Sequence, residues 1–343
     1  MGKASKYMPA VGTFGHKWYP EDLVGVGYMT KSAKYWFVDG DRSVSGNGKS
    51  WDKAFITIQE GVTAAGAGDV VFVAEKKITD NTGDPTNYAE TIIIPNGTPH
   101  LSLIGISRGL TQGGLPQIKK GSGSTALLTV RAAGCYIANL GFNGASSTGG
   151  GILLDDDNST KTAFGTTITG CHFKNCVGTT ATDGRTGGAI MWSAEGNAWQ
   201  VRIIGNRFYK NVCDVLLKGT SNSVPQDVII QDNIFSGPAA SVDVNLYLAG
   251  GSGMNGVVID NNIFQQLPAI GSGSVLRFID ATGCTGMLTR NFFGAQSSNT
   301  GTTLTWLAAG TAAKIPTTMH VAGCYGQSIT AAESGEINIG ANT

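Results

Sequence analysis

Charge is scarce in this sequence, and what there is cancels. Charged residues make up 14% of the chain, 24 basic against 24 acidic, so the formal net charge is zero and no basic patch points to nucleic acid. No apolar run approaches the roughly 18 residues that a membrane span requires. Only four histidines occur, His16, His100, His172 and His320, and they are scattered. The six cysteines, Cys135, Cys171, Cys176, Cys213, Cys284 and Cys324, form no CxxC pair, and the nearest two are five residues apart. They read as buried free thiols of a protein assembled in a reducing cytosol. No zinc-ligand spacing or nucleophile elbow is found. Gly48-Lys49-Ser50 imitates the end of a phosphate-binding loop, but Ser43 stands where its first glycine belongs. Neither cofactor nor metal is expected. Residues Met1–Pro9 lack the apolar core of a signal peptide, and Lys6 breaks the myristoylation pattern, so classical secretion is not expected.

What the chain does have is glycine, 50 residues of it, and a repeat. Phe142, Phe173, Phe208, Phe235, Phe264 and Phe293 are each preceded five positions back by an aliphatic residue: Ile137, Ile168, Ile203, Ile230, Ile259 and Leu288. Asn206, Asn233, Asn262 and Asn291 stand two residues before the last four phenylalanines. In the two earlier repeats that position holds Leu140 and Cys171. The phenylalanines are 31, 35, 27, 29 and 29 residues apart. A period of that length with uneven insertions signals a solenoid. Each repeat is rich in β-formers, as in Val228-Ile229-Ile230 and Val257-Val258-Ile259, and the helix and fixed leucine offsets of a leucine-rich repeat are missing.

The pattern predicts an all-β fold: a single-stranded right-handed parallel β-helix with an N-terminal capping helix. The aliphatic residue and the Phe point inward around a corner. The Asn marks the bend, where its amide tolerates left-handed backbone and bonds to the Asn of the next coil. An internal ladder beginning at Asn206 is expected. A second column, Ile152–Leu154, Ile190–Trp192, Val215–Leu217, Leu246–Leu248, Phe278-Ile279 and Trp306-Leu307, reads as another sheet. Eight or nine coils at about 4.8 Å make a rod on the order of 40 Å long.

The expected organisation is an N-terminal docking arm (1–36), a strand with capping helix and first coil (37–75), the β-helix (76–310), and a C-terminal cap or subunit-contact segment (311–343). The arm is basic and aromatic, with Lys3, Lys6, Tyr7, Phe14, Trp18 and Tyr19 as its docking residues. Asp52 is expected to cap a helix running to about Ala65, with Phe55, Ile58, Gln59 and Val62 at helical spacing. That helix would cover the open end of the solenoid.

The segment Gly-Asn-Gly-Lys-Ser-Trp-Asp-Lys-Ala-Phe (46–55), Ile58-Gln59, Ala-Gly-Asp-Val-Val-Phe-Val-Ala (67–74) and Tyr-Ala-Glu-Thr-Ile (88–92) resembles the opening of pectate-lyase-like right-handed β-helix proteins. With the Asn-x-Phe coils, the resemblance covers roughly residues 35–310. It implies strand, capping helix and first coil. The superfamily spans polysaccharide lyases, glycoside hydrolases, bacteriophage tailspikes and non-catalytic virion proteins, so the resemblance implies a fold rather than an activity.

Catalysis on such a rod needs charged groups gathered on one outer face. The run Asp155-Asp156-Asp157 is the obvious place to look. Asp155 aligns with Ser193, Lys218, Ala249, Asp280 and Ala308, a column with no second carboxylate nearby. Asp157 aligns with Glu195 on the following coil, about 5 Å away, where two carboxylates serve glycoside hydrolysis or hold a cation. The lyases that the chain resembles use an arginine base beside a calcium-bound acidic cluster. Arg185, Arg202 and Arg207 fall in no evident acidic setting. The polygalacturonases that it resembles carry Asn-Thr-Asp, Asp-Asp, Gly-His-Gly and Arg-Ile-Lys, of which only Asp-Asp occurs here. His172 is expected to point outward in a structural or surface role.

Two readings follow. The first is a non-enzymatic structural protein of a bacteriophage virion, a decoration of the capsid attached through its arm. Its partners are further copies of the chain, most readily as a trimer, and a capsid or other virion protein, with assembly in the host cytoplasm. No catalytic residue, nucleic acid or membrane belongs to this reading. The alternative is a carbohydrate-active enzyme or sugar-binding module that engages a cell-surface glycan. Asp155, Asp157, Glu195 and Arg185 would then be catalytic, and Trp192, Trp199, Tyr209 and Tyr247 exposed stacking platforms.

Overall fold

The computed structural model describes residues 33–77, 86–106, 115–119, 125–145, 150–155, 163–176, 188–192, 199–217, 225–236, 244–248, 254–266, 277–295, 318–328 and 335–336. The chain is a right-handed parallel β-helix. Three sheets run the length of the rod, with ten, nine and seven strands. They are called sheets A, B and C here. Each coil passes from A to B to C and then rises one level, so through the middle of the rod strands adjacent in space are three apart in sequence. From Ser102–Ile106 to Arg277–Asp280, six consecutive coils carry all three strands. The ten strands of sheet A span roughly 43 Å at about 4.8 Å per step.

Register follows the repeat. In sheet A, Ile137, Ile168, Ile203, Ile230, Ile259 and Leu288 are direct partners from coil to coil. In sheet B the six phenylalanines are direct partners. Their rings stack with centroids 4.7–5.0 Å apart and planes within 9–17°. All six are fully buried. The stack ends at Ile118 on one side and Gly326 on the other, neither of which has a ring to offer.

The asparagines line the A–B corner. Asn206, Asn233 and Asn262 each donate through Nδ2 to Oδ1 of the next asparagine at 3.0–3.1 Å. Each also donates to a strand carbonyl of the coil before: Ile168, Ile203 and Ile230. Their Oδ1 atoms accept backbone N–H groups, from Cys171 through to Asn262. The ladder runs from Asn206 to Asn291 and is flanked by buried Cys171 and Cys324. The bend itself, however, is made one residue earlier. Left-handed backbone is found at Asn139, Gly170, Gly205, Asp232, Asn261, Arg290 and Gly323, with φ of 52–66°. The ladder asparagines are not among the positive-φ residues, so their amides are chosen for buried hydrogen bonding and not for backbone tolerance.

Three boundaries differ from expectation. The first strand, Tyr35–Val38, pairs with Val70–Val73, so an arm ending at residue 36 would cut through it. The helix is shorter, Ile58–Ala64, and Thr57 caps it through a reciprocal box with Glu60. Asp52 lies in a separate turn, Trp51–Lys53. Phe55 is a strand partner of Val38, with its N–H donating to Phe37 and its carbonyl accepting from Asp39. At the far end, Met319–Ala322 and Tyr325–Ser328 continue sheets A and B past residue 310. The repeat fades there because Cys324 and Gly326 replace the Asn and the Phe.

The helix packs on the first strands through Ile58 and Val62. Gln59 behaves as a neighbouring strand would: its side chain accepts from Ile93 N and donates to Ile93 O. Asp69 ties the start of the rod together by accepting from Lys34 N, Trp36 Nε1 and Gly66 N at 2.8–3.0 Å. Burial pushes its carboxyl up, and these hydrogen bonds outweigh burial and hold it below the ordinary 3.8.

Two measurements test this account. Asn262→Ala strips partners from Asn233 N, Ile230 O and Asn291 Oδ1 and is expected to cost about 2–4 kcal/mol in chemical denaturation. Asp69 contributes its full stabilisation above pH 3.8, and that contribution is lost as pH falls through its lowered value. Asp69→Asn should therefore flatten the acid limb of the stability profile.

Candidate functional site

Of the carboxylates that the sequence nominates, Asp155 is described and Asp157 and Glu195, with Arg185, lie outside the described residues. Asp155 follows the sheet C strand Ile152–Leu154 and is engaged: Arg131 on the preceding coil donates Nε to its Oδ2 at 2.9 Å. Its N–H donates to Val130 O. Asp280 does not share its column. The pairing puts Asp280 opposite Tyr247, and Leu246 opposite Ile279, a slip of two residues from the expected alignment. A two-residue slip preserves the inward–outward alternation, so the hydrophobic pattern cannot detect it. Asp280 is buried and accepts from the Thr282 N–H and hydroxyl. The expected docking residues, Lys3, Lys6, Tyr7, Phe14, Trp18 and Tyr19, lie outside the described residues, as does Trp306.

The aromatic platforms divide. Trp192 is buried in the main core opposite Leu154. Tyr247 is half-buried and packs on a small outer cluster of Ala126, Met191, Cys213 and Leu216. Tyr209 is partly exposed, and Trp199 is 43% exposed. His172 is 3% exposed, not a surface residue. Its neighbour Phe173 takes the inward position, and His172 on the other face of sheet B is nonetheless covered.

A buried polar cluster escaped the sequence reading. Asp214 accepts from Asn211 Nδ2 at 2.8 Å and from Asn245 Nδ2 at 2.6 Å, and Asn211 Oδ1 accepts from Cys176 N. All three side chains are at most 2% exposed. The cluster fastens the corner that leads into sheet C as the asparagine ladder fastens the A–B corner. Its signal is the Asn-x-x-Asp of 211–214, which leads into the strand Cys213–Leu216.

Two open grooves lie on the outer face of sheet A. One, of about 460 Å³, is lined by Val258, Met287, Thr289, Ala322, Gly323 and the pair Asp260–Arg290. There Arg290 donates two hydrogen bonds to Asp260, and Thr289 adds a third. The Arg290 hydrogen bonds hold the Asp260 carboxyl below its ordinary value. Each charge is thus used by the other, and left-handed Arg290 gains a local partner.

The other groove, of about 500 Å³, is lined by Gly165, Thr167, Gln200, Arg202, Asp227 and Ile229. Thr167, Arg202 and Ile229 are direct partners across three coils. Gln200 and Asp227 occupy the left-handed corner just before the strand, at φ 57° and 54°. Phe164 and Trp199, 44% and 43% exposed, precede this corner on successive coils, joined by Gly165 N donating to Trp199 O at 2.7 Å. The sequence reading placed Arg202 in no acidic setting, but the winding brings Asp227 into its groove from 25 residues away.

Among the described residues, no group of three or more His, Cys, Asp or Glu could hold a metal ion. All six cysteines are free and buried. Burial pushes Cys135, Cys171 and Cys176 up to about 12 and Cys284 to about 11, far from the reactive thiolate.

No protein-family model matches the chain, and no curated protein is similar to it. Among solved structures it is similar to a mutant of AlyGC, an alginate lyase of the PL6 family, with TM-score 0.36 and 12% identity over 84% of this chain and 40% of that one. The chain thus spans less than half the length of that enzyme. The β-helix assignment rests on the strand pairing itself.

The thiols provide a direct check. In the native protein, all six should react with an aromatic disulfide reagent orders of magnitude more slowly than in denaturant, where all six react promptly.

Proposed function

We propose that the chain is a non-catalytic structural rod of a bacteriophage virion, decorating the capsid and attached through the residues that precede the first strand. The observation that carries this reading is the continuity of the interior. One apolar core runs from Val38 to Cys324, with the phenylalanine stack on one side and the asparagine ladder at the corner. Backbone pairing fastens coil to coil throughout, with the ring stack added from Phe142 to Phe293 and the buried amides from Asn206 to Asn291. Such a solenoid resists bending and carries a surface away from its anchor.

Two further features support it. The segment before the first strand is basic and aromatic, with Lys3, Lys6, Tyr7, Phe14, Trp18 and Tyr19. A segment of that composition needs a surface to lie against. Asp155, the described member of the candidate acid set, is committed to Arg131. Self-association, as a trimer, is part of the proposal, as is assembly in the host cytoplasm.

The test removes residues 1–32, which stops short of the first strand. The shortened chain is expected to keep the melting temperature of the full rod and to fail to co-sediment with particles that bind the full chain. Retained attachment would overturn the docking role. A polysaccharide screen that yields new reducing ends or unsaturated products, abolished by Glu195→Gln, would overturn the non-catalytic assignment.

A further inference from the structure

We infer that the outer faces of sheets A and B in the last coils form a joint between copies of this chain, sheet A of one copy meeting sheet B of the next around a closed ring. The inference rests on the self-association proposed above and assigns it a surface.

The pattern that marks this surface lies one residue outside the inner repeat. Ile229 and Ile234, Val258 and Ile263, and Met287 and Phe292 stand five residues apart on three successive coils. The first of each pair faces out from sheet A and the second from sheet B, and within each sheet they are direct partners. Such outward positions are free to be polar, and one coil earlier the same two positions hold exposed Arg202 and Arg207. From Ile229 onward both turn apolar. Ile263 and Met287 are 37% and 44% exposed, and the other four are half-buried. On sheet B the row continues to Tyr325, 53% exposed. Two apolar rows thus flank one corner at the same heights.

The groups around the rows select the occupant. The corner ridge between them is already engaged: Arg290 donates to Asp260, and Asn261 donates Nδ2 to Asp232 at 2.6 Å. With two carboxylates and one guanidinium, this ridge gives an anionic lipid surface or a nucleic acid no basic track. The rows repeat at about 4.8 Å per coil, and another copy of the chain presents rows of the same spacing. Rotation about an axis parallel to the rod keeps heights equal, so Val258 comes opposite Ile263 of the next copy. At Arg202 and Arg207 the same rotation sets two cations against each other, which ends the close contact at that coil.

Contact area decides between a pair and a ring. Four coils at about 4.8 Å and strands of about four residues at roughly 3.3 Å give each face on the order of 250 Å². A standard interface buries roughly 800 Å² per partner, so one joint is too small to hold a dimer. In a closed ring each copy uses both faces, neither row is left in water, and no copy leaves without breaking two joints. Faces that meet at a corner cannot both be covered by a single second copy, so the smallest ring has three.

The test is sedimentation velocity of the purified full chain, without particles, at about 100 μM and in serial dilution. The expected result is trimer in exchange with monomer and no dimer. Ile263→Asp and Val258→Asp should each give monomer, because the joint would bury a carboxylate without a partner. Ile93→Asp, at an equally exposed apolar residue of sheet C, should leave the trimer intact. Unchanged melting temperatures establish that the variants are folded. Under mild oxidation the double variant Val258→Cys/Ile263→Cys should form disulfide-linked chains on a denaturing gel, and neither single variant should. The native thiols are buried and stay out of this reaction. The inference falls if the chain is monomeric at the highest concentration, if Ile93→Asp dissociates it as fully as Ile263→Asp, or if either single cysteine variant cross-links as well as the double. A chain that forms the trimer yet fails to attach to particles overturns the docking role and upholds the joint. A monomer that still attaches overturns the joint alone.

Discussion

The structure depends on one constraint: every coil must close at the same height above the last. Parallel strands fix that step at about 4.8 Å, which is also a good distance for stacking aromatic rings and within reach of an amide-to-amide hydrogen bond. A side chain that satisfies the interior at one level therefore satisfies it at the next. This is why phenylalanine recurs six times at one position and asparagine four times at another. Replacing an inner residue disturbs two coils at once, because each stack member is a partner of the level above and the level below. Buried amides are tolerable only because the ladder gives them partners. An isolated asparagine at the same depth would be left with unsatisfied groups.

The outside of the rod is released from that constraint. Phenylalanine spacings vary from 27 to 35 residues while the paired registers stay intact, so the added length is confined to the connections. Outer positions of sheet A show the freedom directly. The column Thr167, Arg202, Ile229, Val258 and Met287 mixes hydroxyl, cation and aliphatic groups, whereas its inward neighbours are all isoleucine or leucine. Surface chemistry can thus be placed coil by coil without cost to the core. Where charges do meet outside, as in Arg131–Asp155 and Arg290–Asp260, they pair between neighbouring coils.

Much of the architecture was legible because the repeat writes its inner positions with the same residue types. The sheet A and sheet B registers and the span of the ladder can be read from Ile, Phe and Asn alone. Other features were not legible. The left-handed bend falls on Gly205, Asp232, Asn261 and Arg290; Gly, Asp and Asn favour that backbone but occur all along this chain, and Arg290 breaks the pattern. The Asp280 column slipped by two because inner and outer faces look the same after such a slip. The last coil was missed because Cys324 and Gly326 keep the backbone pairing while losing both marker side chains.

What the amino-acid order determined alone is the inner surface: which side chains recur, at what interval, and therefore that the chain winds as a solenoid. The recurrence is visible along the chain without any knowledge of contacts, because the same residue types return coil after coil. What only the folded chain decided is the company that outer residues keep. Phe164, Arg202 and Asp227 are far apart in sequence and carry no shared pattern, yet three successive coils bring them to one flank. Adjacency between coils depends on the length of every intervening connection, and no repeat encodes those lengths.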